Sequence, residues 1–285
     1  EIYGEQRVKK VEKFTKFLSS IGMSETAAKI KKDPATYEEL PFNAGKTWTE
    51  YINRLVGFLS GNAMLILLFW TLLRYRKDKR LVLLSFVNIF FLGLNAWFGS
   101  IVVATNLVPW VITVHMFLAL FTVMMQLIII RRVSPKFQKT LNLAGGIRYL
   151  IIIILIITTY QMFLGTQVRE YIDDLTKQGI GREGWSTYFG WSFFIHRSFS
   201  WLVLILIGLL TYLNYKSDQV KAIYWAFVLL SLELIGGVLL AYADMPGMVQ
   251  VSHLLFAAIL FGVLTMLFLR MRKISKPLVS TSLRA

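Results

Sequence analysis

Residues 81–104 read LVLLSFVNIFFLGLNAWFGSIVVA, and this stretch decides the fold class. It carries no charge, and as an α-helix it is about 36 Å long, because each residue adds about 1.5 Å. The hydrocarbon core of a bilayer is about 30 Å thick, so such a helix can cross it. The sequence predicts seven membrane-spanning helices of this kind, at about 50–73, 81–104, 109–130, 148–168, 189–213, 220–242 and 248–270.

The composition of the whole chain agrees with this class. Of the 285 residues, 56% are hydrophobic and 16% are charged, whereas a soluble domain has about 25% charged residues. The absence of cysteine excludes disulfide bonds, thiolate ligands and iron–sulfur clusters built from these residues. We therefore expect an all-α polytopic membrane protein, and not a soluble enzyme, a disordered chain or a disulfide-stabilised secreted domain.

The basic residues are concentrated in alternate loops. The formal net charge is +15, and Lys and Arg cluster at 74–80, at 131–148 and after the fifth and last spans. The loop at 105–108 has no basic residue, the loop at 169–188 is net acidic, and the last loop carries only Asp244. Because basic loops stay in the cytoplasm, the C-terminus is predicted to be cytoplasmic. The positive charge then reflects orientation in a lipid bilayer and not a nucleic-acid partner.

Residues 1–49 form a polar segment of mixed charge, which this topology places outside the cytoplasm. We expect a solvated loop or a small cap there, in which the part from Val8 to Leu18 could form a short amphipathic helix. The chain begins at Glu1 and not at Met, and an outside segment needs something upstream to carry it across the membrane. We therefore expect a further helix before Glu1 in the intact protein.

The second half of the chain repeats the first. Residues 51–54 (YINR) match 194–197 (FIHR), and the stretch 95–115 matches 233–253. A polar residue four positions before a glycine occurs in both long stretches and again at 161–165. This repeat indicates two tandem, pseudo-symmetric four-helix bundles, the first of which lacks its first helix in this chain.

The repeat divides the chain into five predicted parts. The two bundles are joined by a cytoplasmic linker and flanked by the outer polar segment and a cytoplasmic tail. In chain order the parts are the polar loop or cap at 1–49, the N-terminal bundle at 50–131, the linker at 132–147, the C-terminal bundle at 148–271 and the tail at 272–285.

All three histidines, His115, His196 and His253, lie inside predicted spans near their outer ends, and Asn53 holds the fourth equivalent position. Ionisable residues inside a membrane are costly and tend to mark function. A single histidine of this kind could also be a packed residue that hydrogen-bonds to a neighbouring helix. A small residue follows each position one turn later, which leaves room for a flat macrocycle: Gly57, Ala119, Ser200 and Ala257.

Two metal centres compete as explanations for these histidines. His196 and His253 lie on helices of one predicted bundle, where they could ligate a haem iron from both sides. His115 is the remaining candidate iron ligand. Zinc sites favour four ligands, usually with a pair close in sequence, whereas the spacing here is wide. The ligand set therefore favours haem iron over zinc.

Charged and amide side chains flank the candidate ligands. Arg54 and Arg197 each follow one of these positions directly, where they could grip a haem propionate or merely reach the membrane interface. Glu50 shares a helix face with Asn53 and could shuttle protons, although an interfacial glutamate is also commonplace. For the deeper polar residues we expect interhelical hydrogen bonds beside close-packed glycines, with a redox-partner site as the alternative; these are Asn95, Gln161 and Glu233.

Over residues 41–270 the sequence resembles the haem A synthase family of cytochrome oxidase assembly proteins. The most specific stretch is 161–173, QMFLGTQVREYID, which is similar to the family's motif at the outer end of its fifth helix. The family's Glu-x-x-His-Arg motif corresponds to 50–54, EYINR, and its Thr-x-His segment to 113–115, TVH. The family's two later histidines correspond to His196, followed by Arg197, and to His253.

The resemblance implies an activity and its setting. The family has eight helices in two pseudo-symmetric bundles and oxidises the C8 methyl group of haem O to a formyl group by successive hydroxylations. The product, haem A, supplies cytochrome oxidase. The resemblance therefore implies haem O synthase and oxidase assembly factors as partners, an electron acceptor of unknown identity, and a cell (inner or plasma) membrane with haem sites towards the extracytoplasmic side.

The resemblance also assigns roles to the candidate residues. It implies a haem b cofactor in the C-terminal bundle, with its iron between His196 and His253 and with Arg197 beside it. Glu50, from the Glu-x-x-His motif, is the expected catalytic residue. The N-terminal bundle is expected to bind the substrate haem O, next to Asn53, Arg54 and His115.

The chain departs from the family pattern at two points. Asn53 stands where the family usually has histidine, so His115 alone would leave the substrate iron five-coordinate, or the site would be inactive. The family's first helix, and the loop cysteine pair of many members, would precede Glu1. A non-catalytic membrane cytochrome of b type is therefore an alternative function, and a transporter or assembly scaffold without a cofactor is a third.

Overall fold

The computed structural model describes most of the chain, namely residues 2–34, 37, 44–105, 109–141, 143, 145–188, 190–217, 219–243 and 245–271. Within these ranges the regular structure is entirely helical. Residues 106–108 of one predicted loop, Asp244 and the predicted tail at 272–285 lie outside the described residues.

The described helices are α1 (Ile2–Ser20), α2 (Ser24–Lys32), α3 (Ala44–Arg74), α4 (Lys79–Ala104), α5 (Pro109–Val133), α6 (Pro135–Gln138), α7 (Gly145–Lys177), α8 (Arg182–Tyr188), α9 (Trp191–Lys216), α10 (Lys221–Tyr242) and α11 (Gly247–Arg270). Seven of them are long and apolar enough to cross a membrane. These are the seven predicted spans, α3, α4, α5, α7, α9, α10 and α11, and the predicted fold class is confirmed.

The prediction was wrong at the end of α7. The acidic segment at 169–188 was expected to be a loop, but α7 continues to Lys177 and α8 follows. Arg169 and Asp173 lie one turn apart on α7, with 2.8 Å between Nε and Oδ2. Such pairs stabilise an exposed helical turn, so the helix extends beyond its apolar part.

Residues 123–285 form one compact unit of the protein. In it, α7 packs against α9, α9 against α10, α10 against α11 and α11 against α7, so the four helices close into a ring. Large aliphatic side chains fill its core, among them Ile151, Ile154, Ile207, Leu210, Ile223 and Leu264. The boundaries proposed for the bundles and linker remain predictions.

The chain segment before α7 is anchored to the end of α11. Arg131, at the end of α5, is only 4% exposed, and its Nε donates a hydrogen bond of 2.6 Å to the carbonyl of Leu269. The amide of Leu141 donates to the carbonyl of Arg270 at 3.0 Å. The last carbonyls of a helix have no partner within the helix, so these two donors cap α11.

Residues 1–122 form the other unit. Here α3 packs against α4, and the Thr71 and Ser85 hydroxyls hydrogen-bond across that contact at 3.3 Å. The segment at 1–49 contains a packed helical hairpin, α1–α2, and α1 includes the helix predicted from Val8 to Leu18. Its apolar side shares a core with α4 and α5, made of Val11, Phe14, Leu18, Ala27, Ile30, Ile101, Val102, Ala104 and Val111.

Candidate functional site

His253 lies on α11 and faces α10. Its Nδ1 is 3.0 Å from Oε2 of Glu233. The angle falls short of hydrogen-bond geometry, and Oε1 of Glu233 also has no hydrogen-bond partner within the described residues. A Cβ placed on Gly236 would lie 3.2 Å from the same Nδ1, so the glycine allows the imidazole to approach α10 closely.

His196 lies on α9 and faces α7. Nε2 of Gln161 donates to the carbonyl of His196 at 2.6 Å and to Oγ of Ser200 at 2.8 Å. The Ser200 hydroxyl donates to the same carbonyl at 2.9 Å. A Cβ on Gly165 would lie 3.3 Å from Cε1 of His196. The ring therefore also rests on a glycine, but its buried Nδ1 has no hydrogen-bond partner in the described part of the chain.

His196 and His253 are brought together by the ring of helices. α9 and α11 occupy opposite corners of it, since each packs against both α7 and α10. The two imidazoles are close enough to interact electrostatically. Among the described residues, nothing hydrogen-bonds to Nε2 of either ring. Two imidazoles from diagonal helices, each with a free Nε2, are a donor set that could hold a haem iron.

His115 lies on α5, in the other unit. Its Nδ1 is 3.0 Å from the backbone carbonyl of Asn95 on α4. A carbonyl only accepts hydrogen bonds, so Nδ1 carries the proton and Nε2 keeps its lone pair for a metal. A Cβ on Gly99 would lie 3.0 Å from Cε1 of His115. The repeated pattern of a polar residue four positions before a glycine thus lies on the helix that precedes each histidine, and in all three cases a glycine of that helix lies beside the ring.

Of the interhelical hydrogen bonds expected for the side chains of the deeper polar residues, the structure shows that of Gln161. The side chain of Gln161 joins α7 to α9, and the carboxyl group of Glu233 approaches α11. Asn95 instead uses its backbone carbonyl, and its side-chain oxygen has no partner within the described residues. Helix packing determines whether the backbone or the side chain makes each contact, and the sequence pattern does not show which of the two is used.

The residues predicted around the substrate lie on the exposed side of α3. Arg54 donates a hydrogen bond to the carboxylate of Glu50, one turn earlier. Asn53 is exposed, and no hydrogen bond joins it to His115 in the described part of the chain. Arg197 is exposed at the start of α9. The structure therefore brings Glu50 and Arg54 together but does not join this group to His115.

Sequence reasoning missed two contributors to the site. Gly236 precedes Gly237, the glycine four positions after Glu233 in the repeated pattern, and is the closer of the two to His253. Arg169 of α7 hydrogen-bonds to the side chain of Gln250 on α11, one turn before His253. Arg169 lies within the conspicuous stretch at 161–173, which was the available signal.

The described residues contain no group of three or more His, Cys, Asp or Glu side chains that could hold a metal ion. Zinc prefers four such ligands. In this part of the chain, His196 and His253 could hold a haem iron, whose other four ligands belong to the porphyrin.

Comparisons with known proteins identify the family of the chain. The model of a family described as cytochrome oxidase assembly protein matches residues 19–265. Three relatives are named haem A synthase. The one from Wolbachia pipientis wMel is 26% identical over 238 residues, which cover 75% of this chain and 67% of the relative. The one from Staphylococcus epidermidis strain ATCC 12228 is 25% identical over 264 residues, which cover 85% of this chain and 83% of the relative, and the one from Geobacillus thermodenitrificans is 27% identical over 243 residues, which cover 77% and 74% respectively. His115, His196 and His253 lie within the residues 19–265 that the family model covers.

Proposed function

Because the chain belongs to the family of cytochrome oxidase assembly proteins, we propose that it is a haem A synthase. It is an oxidoreductase that converts the C8 methyl group of haem O to a formyl group by successive hydroxylations. The observation that carries this proposal is the pair of imidazoles, His196 and His253, which lie on diagonal helices of one bundle, close enough to interact electrostatically.

The side chains around His196 and His253 fit a resident haem b. Both rings leave Nε2 without a hydrogen bond from the described residues, and Ser200 and Ala257 are small residues one turn further along. Gly165 and Gly236 let the rings lie close to their neighbouring helices. When bound, haem b supplies one-electron transfer. His196 and His253 hold it, and Arg197 is the cation available to a propionate.

The chain itself holds these ligands in place. Gln161 and Ser200 both donate to the carbonyl of His196, which fixes the first turns of α9 against α7. Arg169 and Gln250 join α7 to the start of α11. Hydrogen bonds of this kind limit the movement of ligand-bearing helices and so pre-organise the site.

Haem O is the substrate of the other unit. His115 offers Nε2 to its iron, because Nδ1 donates to the carbonyl of Asn95. Asn53 and Arg54 lie on α3, where Arg54 is available to a propionate. Oxidation of a methyl group releases protons, and the carboxylate of Glu50 accepts them. Arg54 holds that carboxylate by a hydrogen bond, so Glu50 acts from a fixed position.

The protein acts as a multi-pass protein of the cell membrane. Seven apolar helices support this location, and the alternation of basic loops supports a cytoplasmic C-terminus with the haem sites towards the outer side. Haem O synthase supplies the substrate, cytochrome oxidase and its assembly factors receive haem A, and an electron acceptor takes the electrons.

Analysis of extracted haems tests the proposal. The full-length protein is expressed with haem O synthase in a host without its own haem A synthase, and the haems are separated by chromatography. We expect haem A or its hydroxylated precursor, and a matched His115→Ala variant should yield haem O alone. If the parent protein shows a haem b spectrum but only haem O accumulates, it is a b-type cytochrome that only transfers electrons. A colourless parent protein would refute both functions.

A further inference from the structure

The three histidines differ in what approaches the imidazole ring. At His115 it is a neutral backbone carbonyl, 3.0 Å from Nδ1. At His196 the backbone carbonyl of Gln161 lies near the ring, but Nδ1 has no hydrogen-bond partner within the described residues. At His253 the backbone carbonyl of Glu233 lies near the ring as well, and a carboxyl oxygen of the same residue lies 3.0 Å from Nδ1. Among the three rings of the described residues, a carboxyl group lies this close to His253 alone.

Glu233 is a carboxyl group buried within a predicted membrane span, which is an energetically unfavourable position. It lies in the middle of α10, a predicted membrane span, and its side chain is only 11% exposed. No Lys or Arg of the described residues forms an ion pair with it. A carboxyl group in such surroundings costs free energy unless it is paired, and such groups tend to serve function. His253 is the group that it faces.

The contact has a direct chemical consequence for a metal-bound imidazole. When Nδ1–H of a ligating histidine donates to a carboxylate, the proton stays on Nδ1, the ring is held in orientation, and Nε2 becomes a stronger donor to the metal. The 3.0 Å separation between Nδ1 and Oε2 has the length of a hydrogen bond, and a carboxyl oxygen is the acceptor that this contact requires. A stronger donor stabilises ferric iron relative to ferrous iron and lowers the reduction potential.

We infer that Glu233 is a positioning residue that orients His253 and lowers the reduction potential of the haem held by His196 and His253. The inference rests on the proposed function, since it requires haem in this unit. The two imidazoles would then be unequal donors to the iron: His253 would be the stronger donor, and His196, whose Nδ1 has no carboxyl group beside it, the weaker one.

Potentiometric titration of the purified full-length protein tests this. We expect Glu233→Gln to retain haem and to shift the midpoint potential to a more positive value. The expected size is roughly a tenfold change in the ferrous-to-ferric ratio at a fixed solution potential, or about 59 mV for a one-electron couple. The low-spin ferric signal in electron paramagnetic resonance should shift as well, because it reports the donor strength of the axial ligands.

Two further variants make the test specific. Glu233→Asp keeps a carboxyl group and should return the potential towards the parent value. Glu170→Gln is the matched control, because it removes a carboxyl group from the same unit at a position whose electrostatic neighbour is Asp174. It should leave the potential unchanged.

The remaining outcomes of these experiments also support or refute the inference about Glu233. If Glu233→Gln binds haem with the parent potential and the parent resonance signal, the inference is refuted. If Glu233→Gln loses haem, the result for Glu233→Asp is decisive. Retention of haem with the parent potential in Glu233→Asp would support the role of the carboxyl group. Loss of haem in both variants would show that Glu233 is a structural residue and would refute the inference. A parent protein that contains no haem would instead refute the proposed function, so the two failures are distinguishable.

Discussion

In the unit that ends at Thr122, His115 is the single histidine, and its Nδ1 meets a backbone carbonyl at 3.0 Å. In the unit that begins at Val123, His196 and His253 are close enough to interact electrostatically, and His253 lies beside a carboxyl group. One imidazole leaves a haem iron with an open coordination position, whereas two close it. The difference therefore supports a division of work, with substrate oxidation at His115 and electron transfer between His196 and His253.

The largest effect should come from removing one histidine of the facing pair. His196→Ala or His253→Ala should lose the resident haem almost completely and abolish haem A formation, because one imidazole alone holds the iron weakly. His115→Ala should abolish the product but keep the resident haem. Haem content per protein, measured by pigment extraction, checks this. Equal loss of haem b in all three variants would break the comparison between the units.

The next effect concerns the proton acceptor. Glu50→Gln should lower haem A formation by about 100-fold, the usual size of a general-base contribution, while haem b content stays at the parent level. Glu25→Gln, on α2 of the same unit, is the matched control and should keep full activity. Product analysis of the two strains side by side measures the effect. Full activity in Glu50→Gln would remove Glu50 from the catalytic role.

A smaller effect is expected from the glycine that faces His115. In Gly99→Ala the new Cβ would lie 3.0 Å from Cε1, and overpacking of this kind costs about 1–3 kcal/mol. Thermal unfolding in detergent should show the loss, together with reduced product. Gly93→Ala is the control on the same helix, since a Cβ there meets nothing within 4 Å. It should be neutral or stabilising by about 0.5–1 kcal/mol. Identical behaviour of both variants would contradict the close packing of His115 against α4.

The smallest effect is expected from Asn53→His, which makes the two units more alike. We expect the added imidazole to act as a second ligand and convert a bound substrate haem to a low-spin, six-coordinate form. Absorption and resonance spectra of the protein purified with haem O should show that shift, with Asn53→Gln as the control that adds no imidazole. An unchanged spectrum in Asn53→His would place residue 53 out of reach of the substrate iron.

Most of the fold could be predicted because membrane crossing depends on local properties, length and hydropathy, which the sequence displays directly. The seven spans followed from these properties alone. The helical turns at 169–177 did not, because Arg169 and Asp173 look like loop residues until their pairing on one helix face is considered. The second helix of the hairpin, Ser24–Lys32, was also missed, since only Ala27 and Ile30 bury apolar surface there.

The candidate site could be predicted down to residues but not down to atoms. The recurring polar residue and glycine on the helix before each histidine were readable from the repeat. The sequence could not show that Asn95 offers its carbonyl whereas Glu233 offers its carboxyl group, because helix rotation and side-chain torsions decide this. The roles of Glu50, Asn53, Arg54 and Arg197 stay predictions.

The helical hairpin α1–α2 has a consequence for protease sensitivity. Lys9, Lys10, Lys13 and Lys16 all lie on α1 and are exposed to solvent, so they are natural targets for trypsin. A protease needs an unravelled stretch of chain, and α1 is helical and packed through Phe14 and Leu18 against its core. When reclosing is fast relative to cleavage, digestion at these lysines follows the population in which the hairpin has opened. The rate of nicking therefore serves as a gauge of how firmly the hairpin grips the ends of α4 and α5.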